Sequence, residues 1–203
     1  MARTKRLSDE ALLAIAREVF LEAGFTASTK TIARRAGVSE GVLFQRFPTK
    51  AELFFSAMIP PPADLTDLFR QPYPDGFQAF SAVTMGLLDY FRQTMPVLTV
   101  LMSHPSFQFE EFAAKHPDSP MVTLRRDIGH FMVGQIQSGR MAHVHPGAAS
   151  LIAWSTAHTI AFFEHLGAHG GKFDAGMIQA TLECAWNGLA PNPAPAPFTD
   201  PLP

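Results

Sequence analysis

The sequence predicts an all-α protein. Apolar residues recur at helical spacing in almost every periodic segment, and no stretch alternates apolar and polar residues long enough for a β-strand. Serine or threonine precedes several of these segments, and glycine or proline follows them, as at helix ends. With 203 residues, 47% of them hydrophobic, the chain is long enough to bury a core as one domain or two small ones.

The first 58 residues divide into short helices. A Ser or Thr stands at each predicted start, where its oxygen accepts a hydrogen bond from a free backbone N–H. Thr49 and Glu52 have the spacing of a capping box. Gly37 supplies the positive φ that a sharp turn between helices demands. The predicted helices cover residues 8–24, 28–37, 39–48 and 49–58.

A larger helical bundle follows three consecutive prolines, which cannot continue the fourth helix and predict a boundary near residues 59–63. From residue 191 onward, proline occurs at nearly every second position, which predicts a disordered tail. We therefore expect domains at 1–58 and 59–190 and a disordered tail at 191–203. Body helices are predicted at 64–70, 77–94, between Pro96 and Pro105, weakly up to Lys115, and at 119–138, 146–166 and 174–189.

Charge is unevenly distributed. Residues 1–50 hold nine Lys and Arg against five acids, a balance of +4, while the remainder has a balance of −6. This split predicts a basic module that meets a polyanion, joined to an acidic body. Chance segregation of solvated charge is the alternative. A basic arm of Arg3, Lys5 and Arg6 either reaches a DNA minor groove or is simply solvated.

The sequence predicts a DNA-reading surface on the helix at 39–47. At about 100° per residue, Leu43 and Phe47 fall on one side, towards the core. The opposite face is centred on Gln45, beside Gly41 and Val42. Glycine lets a helix backbone approach closely, valine contacts a thymine methyl group, and an amide pairs with adenine, so this face suits a DNA major groove.

Two basic residues border this face. Arg46 lies on one flank and Lys50 starts the next helix, where both would reach phosphates. Phe44 lies on the other flank. Two short helices around a tight turn in a basic segment form the helix-turn-helix arrangement. The alternative is that residues 28–50 are packed connectors of a bundle.

The stretches AREVFLEAGF and TIARRAGVSEGVLFQRFPTKAELF resemble the DNA-binding region of the tetracycline-repressor (TetR) family over about residues 8–58. The resemblance implies a dimeric, all-helical repressor with a three-helix head and a larger helical body that binds an inducer and the second copy of the chain. By position it assigns DNA contacts to Ser28, Thr29, Ser39, Gly41, Val42, Phe44, Gln45, Arg46 and Lys50.

The chain departs from the family pattern at several positions. Phe44 stands where tyrosine is frequent, so a hydroxyl contact to phosphate is absent, and Arg46 stands where histidine is common. The segment between Gly24 and Ile32 is one residue short, which leaves the contact at Ser28 or Thr29 open. The early proline triplet shortens the fourth helix, so the coupling of body to head is also open.

The apolar pattern of the last two predicted helices indicates a dimer interface. Alanine recurs every four residues in the helix at 146–166, which is apolar nearly all round and must be buried on more than one side. Two such helices from each of two chains form a four-helix interface, which would set two reading helices about 34–36 Å apart on a palindromic double-stranded operator. Burial within one chain is the alternative. The predicted interface residues are Ala153, Ala157, Ala161, Ile178, Leu182 and Trp186.

The body is rich in Phe and Met, which line adaptable apolar ligand sites. An apolar or aromatic effector is therefore expected, with ordinary core packing as the alternative for each residue. His158 lies in mid-helix between apolar neighbours and is a candidate polar group of the pocket. The predicted lining comprises Phe91, Met95, Met102, Phe131, Trp154 and His158.

Other functions have little support. The histidine pairs His143 with His145 and His165 with His169 lack the three or four converging ligands of a zinc site, so we expect no metal and no cofactor. No HExxH, GxSxG or phosphate-binding loop occurs, so we expect no enzyme. The single Cys184 and the absence of a signal or membrane span predict a cytoplasmic protein. A helical enzyme and a protein-binding bundle remain the alternatives to a ligand-responsive regulator.

Overall fold

The computed structural model describes residues 7–168 and 170–187, and within these residues it is helical with no strand, which confirms the all-α prediction. A single 3-10 turn, Gly24–Thr26, follows the first α-helix. The predicted basic arm, His169 and the predicted tail lie outside the described residues. The α-helices are α1 (Asp9–Ala23), α2 (Thr29–Arg35), α3 (Glu40–Arg46), α4 (Lys50–Ala57), α5 (Thr66–Arg70), α6 (Gly76–Met102), α7 (Phe109–Lys115), α8 (Pro120–Gln137), α9 (Pro146–Leu166) and α10 (Ala175–Asn187).

Hydroxyl caps start three of the first four helices, as predicted. The side-chain oxygens of Ser8, Ser39 and Thr49 accept hydrogen bonds from the backbone N–H three residues on, at 3.2, 3.2 and 3.0 Å. Ser28 precedes α2 without such a side-chain bond. Each cap satisfies one of the N–H groups that a helix leaves unpaired at its start.

The chain forms two compact units. The head unit contains the described residues 7–62 and 93–122, and the body unit contains residues 63–92 and 123–187. The predicted boundary near residues 59–63 coincides with the end of the first head segment. The head unit also takes in a second segment that sequence patterns assigned to the body, and the division into functional domains stays a prediction.

The core of the head unit is built around two fully buried phenylalanines. Phe20 of α1 and Phe54 of α4 meet edge to face with ring centroids 5.0 Å apart. Leu43 of α3 is also fully buried in this core, as are Ile32 of α2 and Leu101 of α6. This packing fixes which side of α3 faces inward.

Proline does not interrupt α6, so the predicted break at Pro96 is wrong. A mid-helix proline removes one hydrogen bond, here to the carbonyl of Arg92, and costs about 3 kcal/mol. The Pro96 ring is exposed, whereas Met95, Val97 and Leu98 are at most 6% exposed. Burial of these flanking side chains offsets the lost bond and continues the helix on both sides.

A buried ion pair joins α6 to α9 within the body unit. Nε and Nη2 of Arg92 donate to Oε2 and Oε1 of Glu164 at 2.8 and 2.9 Å. The same Oε1 accepts a hydrogen bond from the backbone N–H of Phe173 at 3.0 Å, which ties the loop before α10 to α9. The Glu164 side chain is only 5% exposed.

Candidate nucleic-acid interface

The turn between α2 and α3 has the geometry expected from the sequence. Gly37 has a φ of +66°, in the left-handed region that glycine adopts without strain. The backbone N–H of Val38 donates to the carbonyl of Ala33 at 3.0 Å, and the Val38 side chain packs against the head core. These contacts set the direction in which α3 leaves the turn.

One side of α3 is anchored and the other faces solvent. Leu43 is fully buried and Phe47 packs against the same core, while Gly41 and Gln45 are exposed and Val42 is partly exposed. The helical spacing of 100° per residue predicted the same sides for these five residues. The face that carries a glycine, a valine and an amide is therefore open.

Among the described residues, none is close enough to Gly41 to require a glycine there. A Cβ built at Gly41 meets only the Ser39 hydroxyl oxygen, at 3.7 Å, which is ordinary contact. Gly41 is the second residue of α3, and its missing side chain leaves the first turn of the outward face open.

The remaining predicted contacts on α3 have different environments. Phe44 is 38% exposed, an unusual position for a large apolar ring. The Ser39 hydroxyl is exposed but already caps α3 through Val42. Phe44 is therefore available to a partner molecule, while Ser39 also shapes the helix start.

Arg46 is tethered to the start of α1. Its Nη1 donates to the carbonyl of Leu7 at 2.7 Å and to Oδ1 of Asp9 at 3.1 Å, and its side chain is 18% exposed. The sequence suggested a free phosphate contact at this position, and nothing in the chain predicted the tether. A phosphate would share or displace these partners.

We expect Arg46→Ala to lower the free energy of unfolding by about 1 kcal/mol, because it removes one hydrogen bond to a carbonyl and one exposed ion pair. Urea denaturation of the wild type, Arg46→Ala, Asp9→Ala and the double variant measures this loss and the coupling of the two side chains. An unchanged unfolding midpoint in Arg46→Ala would show that the tether contributes nothing to stability.

Thr29 and Lys50 are also engaged within the head unit. Thr29 Oγ1 donates to Oε1 of Glu40 at 2.7 Å. Lys50 Nζ lies 4.6 Å from the ring centroid of Phe25, a cation–π contact. Both contacts join residues distant in sequence, so no local pattern reveals them. Ser28 is exposed and its side chain is not part of a cap.

Two further cations on α2 were missed by the sequence reasoning. Lys30 and Arg34 are exposed, and in the described part of the chain neither forms an ion pair. Their spacing of four residues, which was visible in the sequence, places them on one face of α2. By contrast, Arg35 forms a two-bond pair with Glu22 at 2.7 Å.

Three of the predicted ligand-lining residues lie together in the body unit. Phe91 meets Trp154 and His158 edge to face, with centroids 4.9 and 5.3 Å apart, and His158 stacks on Phe162. Burial lowers the pKa of His158 below its ordinary value, which favours the neutral ring near pH 7. The cluster combines closely packed aromatic rings with one neutral polar group.

The other three predicted lining residues are placed differently. Phe131 packs against Phe69 and Tyr73, with centroids 5.7 and 6.2 Å away. Met95 is fully buried and belongs to the head unit, while Met102 is 42% exposed. Three of the six predicted lining residues therefore form a cluster, and the other three lie in different environments.

The predicted dimer residues are covered within one chain. Ala153 and Ala157 are fully buried and Ala161 is 1% exposed, and Ile178 and Leu182 are also buried. Trp186 is partly buried and packs against Phe77 and Phe80. The alanines at every fourth position of α9 are therefore buried within a single chain.

Large apolar side chains are nevertheless exposed on α9 and α10. Leu151, Leu166 and Met177 are each more than half exposed, and Phe163 is 38% exposed. Phe163 and Met177 border a shallow apolar hollow of about 200 Å³ between the two helices. Large exposed apolar side chains such as Phe163 and Met177, which border the same hollow, are found at interaction sites.

Within residues 7–168 and 170–187, no group of three His, Cys, Asp or Glu side chains lies close enough to hold a metal ion. Over the same residues, none of the helices combines the length and hydropathy needed to span a membrane.

The head segment matches a family sequence model. Residues 12–57 match the model described as bacterial regulatory proteins, tetR family. The matched segment runs from the buried face of α1 to the end of α4 and includes the turn and α3.

Solved structures share the fold over nearly the whole chain. A TetR family transcriptional regulator from Pseudomonas syringae pv. tomato str. DC3000 is 20% identical, with 91% of this chain and 95% of that chain covered and a TM-score of 0.64. The regulator FadR from Bacillus subtilis, in complex with stearoyl-CoA, is 17% identical, with 87% and 97% covered and a TM-score of 0.66. The flavonoid-responsive regulator FrrA is 23% identical, with 89% and 95% covered and a TM-score of 0.59. At these identities the likeness establishes the fold.

Proposed function

Because this chain belongs to the TetR family of bacterial regulatory proteins, we propose that it is a transcriptional regulator that reads an operator with the outward face of α3. The observation that carries this proposal is the open outward face of α3 at Gly41, where an added Cβ would meet only the Ser39 hydroxyl oxygen among the described residues. Beside it, Val42 and Gln45 supply a methyl contact and an amide, the two groups that recognise thymine and adenine.

Positive charge around this face suits the DNA backbone. We assign Lys30 and Arg34 to phosphates first, because both are exposed and neither forms an ion pair among the described residues. Arg46 and Lys50 bind phosphate after they exchange their internal partners. The exposed Phe44 packs on the sugar–phosphate backbone. Ser28, Thr29 and Ser39 lie at the starts of α2 and α3, where backbone N–H groups also meet phosphate.

We propose that two copies of the chain bind a palindromic operator. The exposed apolar side chains of α9 and α10 support a homodimer face, centred on Phe163 and Met177 rather than on the buried alanine ridge. A dimer places two α3 helices one DNA turn apart, which matches two half-sites.

We further propose that an apolar or aromatic effector releases the protein from its operator. The cluster of Phe91, Trp154 and His158 supports an aromatic ligand in the body. Among proteins of the same fold, one was solved with stearoyl-CoA and another is flavonoid-responsive. An effector that binds one arrangement of the dimer more tightly shifts the population towards it, and operator affinity falls.

Selection of bound sequences from random double-stranded DNA tests the proposal. We expect a palindrome with half-site centres about 10 base pairs apart. We then expect Gln45→Ala to reduce discrimination at one base position per half-site by about 1–3 kcal/mol, because the amide that pairs with the base edge is lost. Fluorescence anisotropy of labelled operators with single base changes measures this loss.

Gln137→Ala is the matched control, since Gln137 is an exposed glutamine of α8 in the body. It should leave operator affinity and base preference unchanged. Equal base preference in Gln45→Ala and the wild type would remove Gln45 from the reading surface. Salt-independent binding of DNA would contradict the proposed function as a whole.

A further inference from the structure

The head unit contains an open cleft of about 610 Å³ between α4 and the segment that ends in α7. All of its lining residues belong to the head unit. The volume lies within the range of sites for small organic molecules. It is separate from the cluster of Phe91, Trp154 and His158, whose residues belong to the body unit.

Aromatic rings form the apolar part of the cleft. Phe55 of α4 faces it from one side, and Phe107 and Phe112 face it from the other, with their ring centroids 5.8 Å apart. His116 extends this surface, 4.8 Å from the ring centroid of Phe112. A flat ring has several partners here for edge-to-face or offset packing.

One carboxylate that lines the cleft is not compensated by a positive charge among the described residues. Lys115 Nζ pairs with Glu111 Oε1 at 2.6 Å, so these two charges compensate each other. Glu52 also lines the cleft, and among the described residues no side chain forms an ion pair or hydrogen bond with its carboxylate. The reciprocal bond of a capping box, from the Thr49 N–H to Glu52, is likewise not made among these residues, which leaves both carboxylate oxygens available.

The histidine adds no opposing charge near neutral pH. Burial, followed by the charge of Lys115, lowers the pKa of His116 below its ordinary value. The lining of the cleft therefore has a net charge of −1 next to four aromatic rings. Such a surface favours a positive charge, through the carboxylate and through the electron-rich ring faces.

We propose that this cleft binds a small organic cation that carries an aromatic ring, with its ammonium group on Glu52 and its ring against Phe55, Phe107 and Phe112. This site goes beyond the proposed function and does not depend on it. It borders α4, which begins four residues after α3 ends.

Dansylcadaverine, an aromatic fluorophore with a primary ammonium group, tests the site. Titration of the full chain without DNA is followed by the rise in dansyl fluorescence. We expect dansylcadaverine to bind about tenfold more tightly than its neutral N-acetyl derivative, a difference of about 1.4 kcal/mol. Anionic N-dansyl-6-aminohexanoate should bind more weakly still.

Two variants locate the binding. Glu52→Gln should weaken dansylcadaverine binding about tenfold and leave the N-acetyl derivative unaffected, so that the two probes bind alike. Glu110→Gln is the control, because Glu110 is an exposed acid of α7 that does not line the cleft. It should bind both probes as the wild type does.

Phe107→Leu reports on the ring contacts and should weaken both probes equally. Circular dichroism confirms that each variant is folded. Equal affinity for the cationic and neutral probes, unchanged binding in Glu52→Gln, or tighter binding of the anionic probe would each overturn the proposal. Because no operator is present, such a failure leaves the proposed function untouched.

Discussion

We expect Phe54→Ala to lower the free energy of unfolding by about 3–5 kcal/mol, the usual cost of truncating a buried aromatic ring. The Phe54 side chain is fully buried at the centre of the head core. Edge-to-face contacts surround it, with the rings of Phe20, Phe25 and Phe55 at centroid distances of 5.0, 5.3 and 5.5 Å. Truncation removes all three contacts and leaves a cavity. Urea denaturation followed by circular dichroism measures the loss, and specific operator binding should fall with it.

Phe44→Ala is the matched substitution at the surface. Phe44 is 38% exposed and lies outside the head core, so the free energy of unfolding should change by no more than about 0.5 kcal/mol. Operator affinity should nevertheless fall, because the exposed ring is assigned to the DNA backbone. Equal destabilisation by the two substitutions would mean that the burial of Phe54 does not determine the stability of the head.

The orientation of α3 was predictable because it depends on local signals. The Ser39 cap sets where the helix starts, and a spacing of four residues puts Leu43 and Phe47 on one side. An apolar pair of this kind must be buried, so the opposite face is left open. Sequence alone was sufficient to place Gly41 and Gln45 on that face.

The environment of the basic residues was not predictable in the same way. Arg46 bonds to the carbonyl of Leu7, 39 residues away, and Lys50 lies over Phe25, 25 residues away. Such partners depend on how helices pack, which periodicity does not encode. The sequence therefore identified the basic character of the head but not which cations are free.

At a proline and at a series of alanines, the structure differs from what the sequence predicted. Local propensity alone predicts a helix end at Pro96. Buried residues on both sides of it nevertheless continue α6. Alanine at every fourth position indicates close helix packing without saying whether the partner is the same chain or a second one. In the structure, Ala153 and Ala157 are covered by their own chain.

We expect Glu164→Ala to destabilise the protein by about 3–5 kcal/mol, because breaking a buried ion pair leaves Arg92 with only the exposed Asp89, at 3.2 Å, as its charged partner among the described residues. The substitution removes the acceptor of two Arg92 bonds and of the Phe173 N–H. Arg92 is 22% exposed, so water compensates part of the loss and the lower end of this range is expected. Urea denaturation at pH 7 measures the effect, and Glu183→Gln, an exposed acid of α10, should remain within about 0.5 kcal/mol of the wild type.

Acid should weaken the same ion pair. Hydrogen bonds from the Arg92 guanidinium, and to a smaller extent from the Phe173 N–H, hold the pKa of Glu164 below its ordinary value despite burial. A carboxyl whose pKa is lower in the folded state contributes stability that is fully present above the unfolded pKa, about 4.3, and is lost as the pH falls through the folded pKa. Glu164→Gln has no such titration. The stability gap between the wild type and Glu164→Gln should therefore be constant from pH 7 to 5 and shrink below about pH 4.3. A gap that stays the same down to pH 2 would show that the pair with Arg92 does not stabilise the ionised carboxylate.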